Sequence, residues 1–212
     1  MSHDLLLLNT FQKIWQQLNQ WDTELFLQIN TRWTNGFLDS VFPWWRDANT
    51  WIPLYLFLIV FALMNFKQKA LPWILFAVIT VVLTDQVSST LLKNWVARPR
   101  PCQEGALLGQ MRLLLSGCSG GYSFTSSHAT NHFGFAMYVY ISLFPILKKW
   151  GKVFFIWAAT ISYGQVYVGV HYPIDILCGG LLGCVLGYVT ARFFNKHIGL
   201  PSFDENQPTA AI

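Results

Sequence analysis

His171 and Asp175 stand four residues apart in Tyr167-Val168-Gly169-Val170-His171-Tyr172-Pro173-Ile174-Asp175, between two long apolar segments. A carboxylate bonded to one ring nitrogen fixes the imidazole tautomer and leaves the other nitrogen free to attack phosphorus. Two earlier stretches carry complementary groups. Lys93-Asn94-Trp95-Val96-Ala97-Arg98-Pro99-Arg100-Pro101 offers cations for phosphate oxygens: a point charge on Lys93 and a planar fork on Arg100. Ser123-Phe124-Thr125-Ser126-Ser127-His128 offers hydroxyls, the free N–H groups of a helix start, and a second imidazole able to protonate a departing oxygen. Each piece alone has an ordinary counterpart: a buried hydrogen bond, a snorkelling cation, an N-cap. Together they spell hydrolysis of a phosphate ester. A metal site with His128, His171 and Asp175 as ligands is the competing reading. Lys93 and Arg100 would repel a divalent ion and supply the charge neutralisation themselves, so the residues favour a site without metal or cofactor.

The elements that must position these groups are apolar helices. Of 212 residues 53% are hydrophobic and only 11% charged, with ten tryptophans; an ordinary soluble domain is about 25% charged. This composition predicts an all-α integral membrane bundle of one domain, residues 1–197. Five segments, 51–66, 70–92, 129–147, 151–170 and 174–194, are apolar enough to cross a bilayer. Residues 1–20 read as an amphipathic helix in the interface, and the apolar pieces 24–29 and 37–42 as two short interfacial or re-entrant helices. Residues 51–195 form the catalytic bundle, and 198–212 a disordered tail. A net charge of +4 in scattered clusters excludes the continuous basic face that nucleic acid requires.

Lys67 and Lys69, then Lys148, Lys149 and Lys152, then Arg192 and Lys196 fall on one side if all five segments cross. The positive-inside rule puts that side in the cytoplasm and the histidines outside, towards the periplasm or exterior. Lys93, Arg98, Arg100 and Arg112 break the rule on the outer face, which implies that anion binding holds them there. Cys102 and Cys118 share the outward loop and are candidates for a disulfide in that oxidising compartment; Cys178 and Cys184 read as packing residues. Asp85, inside a span, reads as polar support for the site rather than a catalyst.

The ordered triple motif resembles the type 2 phosphatidic acid phosphatase family, whose pattern is Lys-x6-Arg-Pro, then Pro-Ser-Gly-His, then Ser-Arg-x5-His-x3-Asp. Lys93, Arg100 and Pro101 match the first, Thr125-Ser126-Ser127-His128 the second, and Gly164-Gln165-x5-His171-x3-Asp175 the third. The resemblance implies a metal-free helical bundle in which His171 attacks to form a phosphohistidine. It further implies that Asp175 orients His171 and that His128 protonates the leaving group and then activates water. Lys93, Arg100, Ser126, Ser127 and Gln165 would bind phosphate. Gln165 brings no charge where the family has arginine, so Arg98 and Arg112 are the candidates to supply it. The implied substrate is a membrane lipid phosphate. Undecaprenyl diphosphate at a bacterial inner membrane is the first expectation, followed by phosphatidylglycerophosphate, phosphatidic acid and lipid A. Phosphotransfer to another lipid, or binding without catalysis, are the alternative roles.

Overall fold

The computed structural model describes residues 2–200, and among the described residues every regular element is a helix, without a strand. Helix α1 (Ser2–Leu27) runs on into a π-helical turn at Gln28–Arg32. Helix α2 (Gly36–Trp45) starts where the Asn35 side chain accepts from Leu38 N, satisfying one of the free N–H groups of a helix start. Helix α3 (Ile52–Phe66) has Pro53 in its first turn, where a missing N–H costs nothing. Helix α4 (Ala70–Asp85) continues through a π-helical stretch, Gln86–Leu92, to a last turn at Lys93–Val96. Ala97, with φ of 51°, then turns the chain out, and Pro99 and Pro101 prevent the helix from resuming. Helices α5 (Ser127–Ser142), α6 (Val153–Tyr167) and α7 (Pro173–His197) complete the bundle.

The N-terminal region differs from its sequence reading. Residues 24–27 are not a separate short helix but the end of α1, and only 36–45 stands alone. Ile14, Trp15 and Trp21 are exposed, as an interfacial helix requires, yet Asp22, Phe26, Ile29 and Asn30 are buried. Phe26, Ile29 and Phe42 pack with Val166, Tyr167, Val168 and Tyr172 into a second core. The polar groups explain why this part of the chain leaves the interface. Asn30 accepts from Arg112 N and donates to the carbonyls of Arg112 and Tyr167, and Asp22 accepts from Ile174 N at the start of α7. The tail predicted to be disordered lies, from residue 201 on, outside the described residues.

Helices α5 and α7 run parallel and very close. Gly179, Gly183 and Gly187 face Ser126, Thr130 and Gly134 in register, and a Cβ on Gly183 or Gly187 would overlap the carbonyl oxygens of Thr130 and Gly134. Small residues drive such contacts inside a bilayer, where apolar burial gains nothing over lipid. Helix α4 runs antiparallel to both: Trp73 Nε1 donates to Ser142 Oγ, Thr84 Oγ1 donates to Asn131 Oδ1, and Thr80 and Thr190 share a hydrogen bond. The ends of α4, α5 and α7 therefore sort into two groups. Residues 66–73, 142–152 and 193–197 gather at one end, and residues 85–100, 123–131 and 171–179 at the other. Large apolar side chains such as Leu56, Phe57, Leu75, Val82, Leu181 and Val185 stay exposed around the middle, as a lipid-facing belt must. By length and hydropathy alone, two stretches suffice to cross a bilayer: the tract Ala48–Leu107 and helix α7. Helices α3, α5 and α6, at 15, 16 and 15 residues, are short of the roughly 20 that a full crossing takes.

Candidate active site

Four backbone and side-chain contacts tie the sequence stretches together at the end away from the lysine turns. Ser123 N donates to Arg98 O at 2.8 Å, Ser126 N to Asp175 O at 3.1 Å, and Arg100 Nη1 to His171 Nε2 at 3.1 Å and Val170 O at 3.0 Å. The Cys102 and Cys118 sulfurs are bonded to one another, closing the loop between the first two stretches.

His171 is buried in the turn between α6 and α7. A guanidinium only donates, so Nε2, facing Arg100, is the acceptor, and the ring proton sits on Nδ1, 3.5 Å from Asp175 Oδ2. Burial pushes this imidazole down to about 4 despite the opposing pull of Asp175, so at neutral pH it is uncharged, with its lone pair on Nε2, the nitrogen that faces Arg100. Asp175, fully buried, sits in the first turn of α7, where its Oδ2 accepts from Tyr172 N at 2.9 Å and its Oδ1 from Arg98 Nη1 at 2.8 Å.

The cations divide into two classes. Arg98 also donates to Asp22 Oδ2 at 2.7 Å and lies over the Tyr172 ring, while Arg112 pairs with Asp39. Burial disfavours the Arg98 cation, but Asp175 and Asp22 more than offset it. The expectation that a bound anion holds Arg98 and Arg112 on this face is therefore corrected: carboxylates of the chain itself hold them, and neither replaces the missing family arginine. Lys93 and Arg100, by contrast, form no ion pair among the described residues. Burial, with Arg100 nearby, pushes the Lys93 ammonium down to about 8.

His128 opens α5 one turn before His132; burial first, then the charge of Arg46 and, more weakly, that of Lys93, hold its imidazole well below the usual histidine range. His132 is turned away from catalysis, its Nδ1 against His128 O at 2.7 Å and its ring edge-on to Trp157. Ser126 is the N-cap of α5, its Oγ accepting from Ala129 N. Ser127, expected to bind phosphate, turns its hydroxyl to α4, sharing hydrogen bonds with Ser89 at 2.8 Å and Ser88 at 3.2 Å, contacts that link the two helices. Asp85 accepts from Ser89 and Asn131 in the same polar layer.

Gln165 is fully buried on the last turn of α6, and its main-chain carbonyl accepts from His171 N at 3.3 Å. Its Oε1 accepts from Nε of Arg46, the residue that follows α2, at 3.0 Å. Nothing in the sequence singled out Arg46, an isolated cation beside two tryptophans.

A groove of about 490 Å³ leads from His128 between α3, α4 and α5. It is polar where Asp85, Ser127, His128 and Asn131 line it and apolar beyond, along Leu58, Ala77, Val81 and Phe135. Among the described residues no three His, Cys, Asp or Glu side chains gather as a metal-binding group.

Comparison with known proteins gives the same picture. Residues 71–198 match the PAP2 superfamily. The chain is 32% identical over 179 residues to a lipid A 4'-phosphatase of Bacteroides thetaiotaomicron, covering 81% of this chain and 76% of that one. It is 29% identical over 169 residues to phosphatidylglycerophosphatase B of Bacillus subtilis, covering 73% and 77%. The crystal structure of Aquifex aeolicus LpxE superposes with a TM-score of 0.57 at 27% identity, over 80% of this chain and 94% of that one.

Proposed function

Given that the chain belongs to the PAP2 superfamily of membrane phosphatases, we propose that it removes the phosphate of a lipid A-type glycolipid through a phosphohistidine on His171. The observation that carries the lipid substrate is the groove: it joins the imidazole of His128 to an apolar channel between helices, a lining that suits a lipid tail better than a soluble phosphate ester. The choice of lipid A over undecaprenyl diphosphate, the first expectation from sequence, rests on the similarity to the Bacteroides enzyme.

In this reading His171 Nε2 attacks phosphorus while the ester P–O bond breaks, and the electron pair leaves with the lipid oxygen. His128, which takes up its proton once the phosphate anion offsets the neighbouring cations, gives that proton to the lipid oxygen. The positive charge that develops on His171 is met by Asp175, which Arg98 keeps ionised. A water, deprotonated by His128, then attacks phosphorus, the N–P bond breaks, and inorganic phosphate departs. Lys93, Arg100, the Ser126 hydroxyl and the N–H groups at the start of α5 stabilise the phosphoryl oxygens. The lysine and arginine clusters at the far end support five crossings with that end in the cytoplasm and the site facing out.

The test is phosphate release by purified protein in detergent from lipid A, phosphatidylglycerophosphate and undecaprenyl diphosphate, with His171→Ala as the blank and a chelator in a parallel series. Release from lipid A above the other two, lost in the variant and kept with chelator, is expected. Preference for undecaprenyl diphosphate would overturn the substrate, and His171→Ala turnover near the parent's would overturn the mechanism.

A further inference from the structure

Arg46 is a partly buried guanidinium at the end of α2. Among the described residues it forms no ion pair, and its one side-chain hydrogen bond is from Nε to Gln165 Oε1, which leaves both terminal nitrogens uncommitted. The contrast with Arg98 and Arg112 is direct, since each of those is gripped by carboxylates of the chain. Burial lowers the affinity of Arg46 for its proton; the neighbouring Asp47 opposes this without closing an ion pair, and the charge of Arg100 adds to it, so a second cation bears on this guanidinium. A fold gathers Arg46, Arg100 and Lys93 around two imidazoles, against their mutual repulsion, only where an anion is to be bound.

Two residues of α6 are shaped to this side chain. Gly164 has no Cβ; one built there would stand 3.3 Å from Arg46 Cβ and 3.0 Å from the Phe42 ring, closer than side chains ordinarily pack. Gln165 presents its oxygen to Arg46, because a guanidinium can only donate, and this turns Nε2 the other way. That Nε2 is buried without an acceptor among the described residues, a second donor beside the main-chain link to His171.

We propose that Arg46 is a third phosphate-binding cation of the site, delivered by the end of α2, and that Gly164 admits it while Gln165 aims it. The two departures of α6 from the family pattern, Gly164 and Gln165, are then one change: the guanidinium has moved from α6 to α2. The inference rests on the phosphatase reading above.

Arg46→Gln, Gln165→Arg and the double variant are assayed beside the parent and His171→Ala, with inhibition by vanadate measured in each and thermal unfolding in detergent as the check on folding. Arg46→Gln should lose about 100-fold in kcat/KM, with vanadate inhibition weakened in parallel. The double variant, which returns the charge from position 165, should recover to within about tenfold of the parent. If the parent releases phosphate and Arg46→Gln stays folded with turnover and vanadate inhibition like the parent's, the inference fails while the phosphatase reading stands. If the parent itself releases none from any lipid of the panel, the phosphatase reading fails first. Should Arg46→Gln not fold, Arg46→Lys decides: the loss of a fork with the charge retained should weaken vanadate inhibition about tenfold, and unchanged inhibition overturns the proposal.

Discussion

Arg98 and Asp175 are joined by a 2.8 Å ion pair in which the carboxylate is fully buried and the guanidinium almost so. The carboxylate proposed to orient the nucleophile is thus held by a cation whose own partners are carboxylates. Asp22 completes the clamp from α1 at 2.7 Å. The N-terminal helix is in this way tied to the chemistry.

Arg98→Met is expected to damage both stability and turnover. It leaves Asp175 and Asp22 buried without their partner, a loss of about 3–5 kcal/mol for a broken buried pair. Asp175 is also left free to swing from His171, so kcat should fall more than KM changes. Thermal unfolding together with initial rates checks this. A variant as stable as the parent would show that the clamp carries no weight.

The pH dependence of kcat/KM should be bell-shaped. His171 must be uncharged to attack, and its imidazole sits at about 4, so activity is lost as pH falls through that value. Lys93 must be charged to hold phosphate, and its ammonium sits at about 8, so activity is lost as pH rises past it. A bound phosphate favours the charged lysine, so the alkaline limb of kcat should lie higher than that of kcat/KM. Lys93→Arg keeps the charge to higher pH and should flatten the alkaline limb. A limb unmoved by that change would assign it to another group.

Reduction should loosen the outer loop. The Cys102–Cys118 bridge closes a sequence separation of 16 residues, and a bridge over a loop of that size contributes about 3 kcal/mol. It begins two residues after Arg100, so dithiothreitol should lower the unfolding temperature and weaken phosphate binding together. Thiol labelling of the native protein should reach Cys102 and Cys118 only after reductant. Labelling of both without it would remove the bridge.

What the sequence disclosed and what it hid follow from distance along the chain. The three motifs are each shorter than ten residues, and their residue types declare their chemistry, so Lys93, Arg100, His128, His171 and Asp175 were legible. The long apolar runs likewise announced α3 to α7. Arg98 was misread because one of its carboxylates, Asp22, lies 76 residues away, and Arg46 was invisible because Gln165 lies 119 residues away. The burial of Asp22 and Asn30, on either side of the apolar piece 24–29, was hidden for the same reason. Their partners, Ile174 and Tyr167, are 152 and 137 residues downstream, and only the fold brings them close.

Gly164→Ser gives the sharpest separation between a packing role and an electrostatic one. The added Cβ would press on the Phe42 ring and on Arg46 Cβ, and a Cβ moves only with its backbone, so the end of α2 must shift and carry the guanidinium with it. The expected result is a loss of roughly threefold to tenfold in kcat/KM with some fall in unfolding temperature. Introduced together with Arg46→Gln and Gln165→Arg, the same serine has no guanidinium at position 46 to displace and should cost nothing further. An equal loss in both backgrounds would mean that the serine acts through Phe42 and the helix packing. A loss confined to the parent background ties the size of residue 164 to the aim of the cation.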